Sequence, residues 1–121
     1  MGKKKILIVD DELDLVEGVS LRLESAGYEV FKATNGLEAL KKALEVKPDL
    51  ILLDVMMPEV DGFETARKLK EDLKTKMIPI IMLTAKVEIE FAEIAMKAGA
   101  VDYIVKPFNP MTLLDKVRKY C

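Results

Sequence analysis

The sequence contains no histidine and only one cysteine, Cys121, at the last position of the chain. Without histidine, the chain cannot supply a histidine base, a histidine metal ligand or a phosphohistidine of its own. A lone cysteine forms no internal disulfide, and the lack of histidine beside it excludes a zinc site and cysteine-histidine catalysis. We therefore expect any bound metal to have oxygen ligands.

Long apolar runs are absent as well. No run approaches the roughly 18 residues of a membrane helix and no segment has the pattern of a signal peptide, so we expect a cytoplasmic protein without a membrane partner. The 19 basic and 21 acidic residues are scattered along the chain, and only residues 3–5 form a basic run. This distribution argues against direct nucleic-acid binding. The length of 121 residues predicts a single domain, residues 1–121.

Short apolar runs alternate with segments of helical periodicity along the chain. Five runs bounded by turn formers are typical of strands, at residues 5–9, 28–33, 50–53, 80–83 and 103–105. Apolar residues at helical spacing predict five helices, including one over 87–98 that Gly99 closes and a terminal one that starts at Asn109 and Pro110. This alternation predicts an α/β fold in which helices cover both faces of a parallel sheet.

Two of these helices carry stripes that we expect to face the core. In the second helix, Asn35 and Glu38 are spaced like a capping box, and the inward residues are Leu37, Leu40 and Leu44. In the third helix the inward residues are Phe63, Ala66, Leu69 and Leu73, and the charged residues left to water are Arg67, Lys68, Lys70 and Glu71.

An acid, Asp54, follows the apolar run 50–53 directly. An ionised carboxylate at the edge of a core costs on the order of several kcal/mol unless a partner compensates its charge. Asp54 therefore has either a cation nearby or a chemical role, and the alternative is that it only caps the next turn. This stretch alone leaves both interpretations open.

Polar residues follow most of the predicted strands. They are Asp10 and Asp11 after the first, Asp54 after the third, Thr84 after the fourth and Lys106 after the fifth. In open α/β sheets ligands bind beyond the carboxyl ends of the strands, so this coincidence indicates a site at that edge.

The residue types at this edge suit phosphoryl chemistry. Three carboxylates repel each other, and a hard divalent cation relieves the repulsion. Magnesium fits best because it takes one or two carboxylates together with phosphate oxygens. Lys106 and Thr84 can contact further phosphoryl oxygens. Asp54 is left as the nucleophile that would form an aspartyl phosphate.

Four motifs follow one another along the chain: Val9-Asp10-Asp11-Glu12, Leu53-Asp54-Val55-Met56-Met57-Pro58 with Asp61-Gly62, Leu83-Thr84-Ala85, and Lys106-Pro107-Phe108. In this order they resemble the receiver domain of two-component response regulators, and the similarity covers the full chain. The resemblance implies a flavodoxin-like (βα)5 fold with strand order 2-1-3-4-5. It also implies a signalling phosphoacceptor in a phosphorelay rather than an enzyme.

The resemblance further implies roles for individual residues. Asp54 would accept the phosphoryl group, with Thr84 and Lys106 as catalytic partners and with Thr84 and Tyr103 as a switch pair. Lys106-Pro107 would be a cis peptide. The implied magnesium ligands are Asp10 through water, Asp11, Asp54 and the backbone carbonyl of Met56.

Partners follow from the same resemblance. The phosphoryl donor would be a sensor histidine kinase or a phosphotransfer protein, and phosphorylation would change the surface formed by the fourth helix, the fifth strand and the fifth helix. A homodimer that depends on phosphorylation is one output of such a surface. However, Val101-Asp102 stands where many receivers have two acids, which puts salt-bridged pairing in doubt. A stand-alone receiver and a piece of a longer regulator with an effector both stay open.

Two other functions compete with the receiver interpretation. A flavodoxin-like cofactor binder would have a phosphate loop rich in Ser, Thr and Gly after the first strand, where this chain has three acids. An aspartate-based, magnesium-dependent phosphatase of the same architecture is closer in chemistry. It usually has a general acid two residues after the nucleophile, where this chain has Met56. The phosphatase remains as the alternative.

The lifetime of an aspartyl phosphate at Asp54 is expected to depend on Met56 and Lys86, which flank the path of the attacking water in this family. Met56 offers this water no hydrogen bond, so we predict slow autodephosphorylation. Met56→Asn is expected to hydrolyse about tenfold faster, which corresponds to roughly 1.4 kcal/mol of barrier. Phosphate-release kinetics at saturating magnesium measure the difference, and an equal or slower rate in the variant would contradict the prediction.

Overall fold

The computed structural model describes residues 2–55, 62–85 and 95–121. In chain order the elements are β1 (Lys5–Val9), α1 (Leu13–Ser25), β2 (Glu29–Ala33), α2 (Gly36–Val46), β3 (Leu50–Asp54), α3 (Gly62–Glu71), β4 (Ile80–Thr84), β5 (Asp102–Val105) and a terminal helix (Pro110–Tyr120). Residues 95–97 are helical, and the rest of the helix predicted over 87–98 lies mostly outside the described residues.

The five strands form one parallel sheet in the order β2-β1-β3-β4-β5. This order confirms the predicted flavodoxin-like (βα)5 fold. Every residue of β3 and β4 is buried, as the continuous apolar runs of these central strands predict. In the sheet register Asp54 is opposite Leu83, and Thr84 is opposite Val105.

Side chains alternate between two cores, one on each face of the sheet, because successive residues of a strand point to opposite faces. The terminal helix and α1 cover one core, and α2 and α3 cover the other. The face under α2 and α3 is lined by Leu7, Val9, Ile51, Leu53, Ile80 and Met82. The face under α1 and the terminal helix is lined by Ile6, Ile8, Leu50, Leu52, Ile81 and Leu83.

The predicted caps of two helices are confirmed. The Asn35 side chain accepts a hydrogen bond from the Glu38 N–H at 2.9 Å, at the start of α2. The Asn109 side chain accepts one from the Met111 N–H at 2.7 Å, and Pro110 takes the first position of the terminal helix. These caps satisfy N–H groups that have no partner inside a helix.

The prediction for the inward face of α2 was wrong in part. Leu37 and Leu44 are 64% and 41% exposed, whereas Ala39 and Ala43 are fully buried and Leu40 packs at the margin of the core. The small alanine side chains let α2 lie close to the sheet, which leaves two of the three leucines at the periphery. The helical period was correct, but it did not determine which side of the helix faces the sheet.

Two predictions for α3 were also wrong. Leu73 is 80% exposed because α3 ends at Glu71 and a turn follows. Lys70, predicted to point into water, donates hydrogen bonds to the carbonyls of Lys76 at 3.0 Å and Ile78 at 2.7 Å. Burial lowers the pKa of Lys70. The Lys70 side chain also packs against Gly99, where an added Cβ would lie only 2.6 Å from Lys70 Cγ.

A helix that crosses a bilayer needs about 20 mostly apolar residues. None of the helices in the described residues has that length and apolar character.

Ser20 on α1 is 1% exposed, and among the described residues its hydroxyl has no hydrogen-bond partner. An unsatisfied buried hydroxyl is unfavourable, and alanine is also the better helix former. We therefore expect Ser20→Ala to raise the free energy of unfolding by about 1 kcal/mol. Denaturant unfolding measures this change. Ser25→Ala, at an exposed position of the same helix, is the matched control and should gain less. A variant no more stable than wild type would contradict the prediction.

Candidate functional site

The carboxyl ends of four strands bring polar side chains to one edge of the sheet. Asp10 follows β1, Asp54 ends β3, Thr84 ends β4 and Lys106 follows β5. The Asp10 N–H donates to the Ala33 carbonyl at 3.1 Å, and the Lys106 N–H donates to the Thr84 carbonyl at 2.6 Å. Strand pairing therefore continues up to the residues that form the site, and it fixes their backbone positions.

The ammonium of Lys106 is shared by three carboxylates. Lys106 Nζ lies 2.7 Å from Asp10 Oδ2, 3.2 Å from Glu12 Oε1 and 3.4 Å from Asp54 Oδ1. Asp10 is fully buried and Asp54 is 4% exposed. The interpretation of Asp54 as an acid with a cation nearby is therefore the one that the geometry supports.

The protonation of Lys106 follows from these contacts. Burial of the ammonium lowers its pKa, but the hydrogen bonds to Asp10 and Glu12 and the charges of Asp10 and Asp54 outweigh that effect. The pKa of Lys106 lies above its ordinary value as a result. Lys106 stays positively charged at neutral pH and can contact an anionic group at this edge.

Glu12 belongs to this cluster and was not among the predicted site residues. It precedes α1 at the N-cap position, where its side chain makes no capping hydrogen bond and instead approaches Lys106. Its backbone N–H donates to Asp10 Oδ1 at 3.0 Å, which helps to orient the Asp10 carboxylate. The signal in the sequence was a third consecutive acid after the first strand.

Three carboxylates are close enough to share one metal ion. Asp10, Asp11 and Asp54 each offer an oxygen, and these oxygens all lie within 4.8 Å of one another. Asp10 and Asp54 are buried, whereas Asp11 is exposed to solvent. A set of carboxylate oxygens suits a hard cation such as magnesium, so the residues present fit this cofactor. The predicted fourth ligand, the carbonyl of Met56, lies outside the described residues.

The start of α3 approaches the backbone of Asp54 closely. The Gly62 N–H donates to the Val55 carbonyl at 2.9 Å. A Cβ at Gly62 would overlap the Asp54 carbonyl oxygen and would come 2.8 Å from the Val55 Cα. Only glycine allows this approach, which explains why glycine opens the helix that follows β3.

Of the predicted switch pair, Thr84 is 3% exposed and Tyr103 packs against the core under α2 and α3. Both side chains belong to the sheet face of Met82, because Thr84 lies two residues after Met82 and Met82 pairs with Tyr103. The Lys106-Pro107 peptide is cis, as the resemblance implied. The predicted lifetime residues, Met56 and Lys86, lie outside the described residues.

Comparison with known protein families agrees with the resemblance that the sequence motifs carry. Residues 6–118 match the sequence model of the response regulator receiver domain. The chain belongs to the receiver family. Receivers of response regulators are signalling domains, and the rival interpretation as a flavodoxin-like cofactor binder is not supported.

Several transcriptional regulators are similar to this receiver. The phosphate regulon transcriptional regulatory protein PhoB of Pseudomonas aeruginosa is 49% identical over 118 residues, which are 98% of this chain and 52% of PhoB. The alkaline phosphatase synthesis transcriptional regulatory protein PhoP of Bacillus subtilis is 48% identical over 116 residues, which are 95% of this chain and 47% of PhoP. The chain thus spans about half the length of these relatives.

Solved structures extend the comparison to the whole fold. Chemotaxis protein CheY4 of Vibrio cholerae superimposes with a TM-score of 0.94 at 39% identity, over 99% of this chain and 100% of CheY4. The receiver domain of sensor histidine kinase PA1611 from Pseudomonas aeruginosa has a TM-score of 0.90 at 29% identity, over 98% of each chain. That structure has a magnesium ion coordinated in its active-site cleft.

Magnesium is expected to stabilise this receiver, because a cation bound by Asp10, Asp11 and Asp54 favours the folded state. At a free concentration ten times the dissociation constant, the gain is about 1.4 kcal/mol. Thermal unfolding with and without magnesium measures it. Asp11→Asn removes an exposed ligand and should abolish most of the gain, whereas Asp14→Asn, an exposed acid on α1, should keep it. An equal gain in both variants would contradict this metal site.

Proposed function

We propose that this chain is the phosphoacceptor of a two-component phosphorelay. Asp54 receives a phosphoryl group from a phosphohistidine on another protein, in a reaction that requires magnesium. The single observation that carries this proposal is the placement of Asp54. Its buried carboxylate lies 3.4 Å from the Lys106 ammonium and shares a possible metal site with Asp10 and Asp11.

Lys106 and Thr84 are proposed to bind the transferred group. The Lys106 ammonium, charged at neutral pH, neutralises one phosphoryl oxygen. Thr84 ends β4 next to β3 and is almost fully buried, so its hydroxyl can donate to another phosphoryl oxygen. Asp10 holds the ammonium in place through the 2.7 Å contact.

In the proposed reaction, an Asp54 carboxylate oxygen forms a bond to phosphorus as the phosphorus–nitrogen bond to the donor imidazole breaks. The electron pair of the broken bond stays on the imidazole nitrogen, which takes up a proton. Such a transfer asks the protein mainly for positioning and for neutralisation of charge. No histidine base is required of the acceptor, in agreement with a sequence that has none.

Asp11, Asp54 and the proposed Met56 carbonyl would hold magnesium, with Asp10 assisting through water, and the ion would supply positive charge that neutralises the phosphoryl group. The carboxylates that would hold it then no longer repel the incoming anion. Asp11 is the exposed member of the set, which makes it the ligand nearest to solvent.

Switching is proposed to follow from the recruitment of Thr84. When its hydroxyl turns to a phosphoryl oxygen, Tyr103, on the same sheet face, moves inward. This movement couples the site to the surface formed by the helix predicted over 87–98, β5 and the terminal helix. The response is a shift between two states of one element, driven by a local charge change.

A sensor histidine kinase or a phosphotransfer protein would be the donor, and the chain would catalyse only its own phosphorylation and dephosphorylation. The relatives PhoP and PhoB are transcriptional regulators about twice as long as this chain, so a fused effector is one output and a phosphorylation-dependent homodimer is another.

A small phosphodonor with magnesium is expected to add one phosphoryl group to the wild-type chain, stable in acid and labile in base. Asp54→Asn and addition of a chelator should abolish the mass increase, whereas Asp72→Asn, at an exposed position after α3, should retain it. Intact mass spectrometry with site mapping provides the measurement. Phosphate on a serine or threonine would refute the proposal, and turnover of an external phosphoester would instead support the phosphatase alternative.

A further inference from the structure

Lys116 of the terminal helix contacts both the backbone and the ring of Tyr103. Its ammonium donates hydrogen bonds to the Tyr103 carbonyl at 2.8 Å and to Asp102 Oδ1 at 2.9 Å. It also lies 5.3 Å from the centroid of the Tyr103 ring, within the range of a cation–π contact. Asp102 Oδ1 in turn accepts a hydrogen bond from the Tyr103 N–H at 2.8 Å. Side chains therefore meet both backbone polar groups of Tyr103.

The Lys116 ammonium is held firmly in this place. The Tyr120 hydroxyl, one turn further along the helix, donates to Asp102 Oδ2 at 3.1 Å and to the Val101 carbonyl at 3.3 Å. Burial raises the pKa of Asp102, but hydrogen bonds from Lys116, the Tyr103 N–H and Tyr120, together with the charge of Lys116, outweigh burial and lower the pKa. The Asp102 carboxylate therefore stays ionised at neutral pH.

Lys116 contacts the Tyr103 ring from the outer edge of the sheet, on the side away from Thr84. Tyr103 lies on β5, the edge strand, and packs on the face of α2 and α3, whereas Leu113 and Val117 hold the terminal helix on the opposite face. Lys116 reaches around the sheet edge, while Thr84 lies on β4, one strand inward. A movement of the ring toward Thr84 lengthens its distance from the ammonium.

Close packing alone does not fix the Tyr103 ring. Tyr103 is only partly buried, and a solvent-open groove of about 290 Å³ lies beside it. A side chain with free volume next to it takes the position that its remaining contacts favour. The groove is lined by Tyr103, Val105, Phe108, Asn109, Thr112 and Lys116 among others.

We propose that Lys116 is a positioning residue for Tyr103. Its contacts favour the ring position described here over one nearer to Thr84. This inference rests on the proposed function, in which the second position accompanies phosphorylation of Asp54. A contact present in only one of two states lowers the affinity for any ligand that favours the other state. Lys116 thus opposes the phosphoryl-dependent switch. It sets part of the free-energy difference between the two ring positions that phosphoryl binding must overcome.

The test measures the affinity for beryllofluoride, a phosphoryl mimic, by NMR titration at saturating magnesium. Lys116→Met keeps a long apolar side chain without the charge, and it should bind about threefold more tightly than wild type, the factor expected for a modest cation–π contact. Lys116→Arg keeps a cation over the ring and should bind like wild type. Lys119→Met is the matched control, because the Lys119 ammonium lies 5.4 Å from a different ring, that of Tyr120.

A second background separates positioning from a merely structural role. In Tyr103→Leu, Lys116→Met should leave the affinity unchanged, whereas a role in holding the terminal helix on β5 would give the same change in both backgrounds. The Cε protons of Lys116 should also show an upfield ring-current shift that Tyr103→Leu removes.

Three results decide the inference. Equal affinity of wild type and Lys116→Met overturns it, and so does the same change in both backgrounds. If wild type does not bind beryllofluoride at all, the proposed function fails and the inference fails with it.

Discussion

The structure of the site depends on the ammonium of Lys106. Two of the carboxylates that it contacts, Asp10 and Asp54, are almost fully buried, and ionised acids at such depth are unfavourable without a positive charge nearby. Lys106 reaches them because its backbone N–H pairs with the Thr84 carbonyl at the end of β4. A shift of one residue in this register would turn the ammonium to the other face of the sheet. The chemistry of the edge is therefore inseparable from correct strand pairing.

One ammonium does not balance the four acids around it, Asp10, Asp11, Glu12 and Asp54. The excess negative charge disfavours the folded chain as long as no cation is bound, and the same charge attracts a divalent cation. Stability and function thus compete at this edge. The site attracts a cation because its carboxylates repel one another. The hydrophobic cores on both faces of the sheet must outweigh this repulsion to keep the chain folded.

Much of this architecture could be predicted from the sequence, because its strands are continuous apolar runs and its acids follow those runs directly. Asp54 and Lys106 could be placed at one edge by the rule for parallel sheets alone. The exposure of Leu37 and Leu44 could not be predicted, because helical spacing gives a period and not the rotation of a helix against a sheet. The partners of Lys70 are backbone carbonyls of a turn, whose position depends on tertiary structure and leaves no pattern in side-chain types.

The side chains around Tyr103 also affect how this receiver can associate. Unpaired N–H and C=O groups on an edge strand form a template for a further strand. On β5 the Asp102 carboxylate occupies the N–H of Tyr103 and the Lys116 ammonium occupies its carbonyl. Another chain could extend the sheet here only by displacing a charged pair from its hydrogen bonds. Docking on side chains and helix surfaces avoids this displacement, so the structure favours it over strand addition for a partner that recognises this side of the receiver.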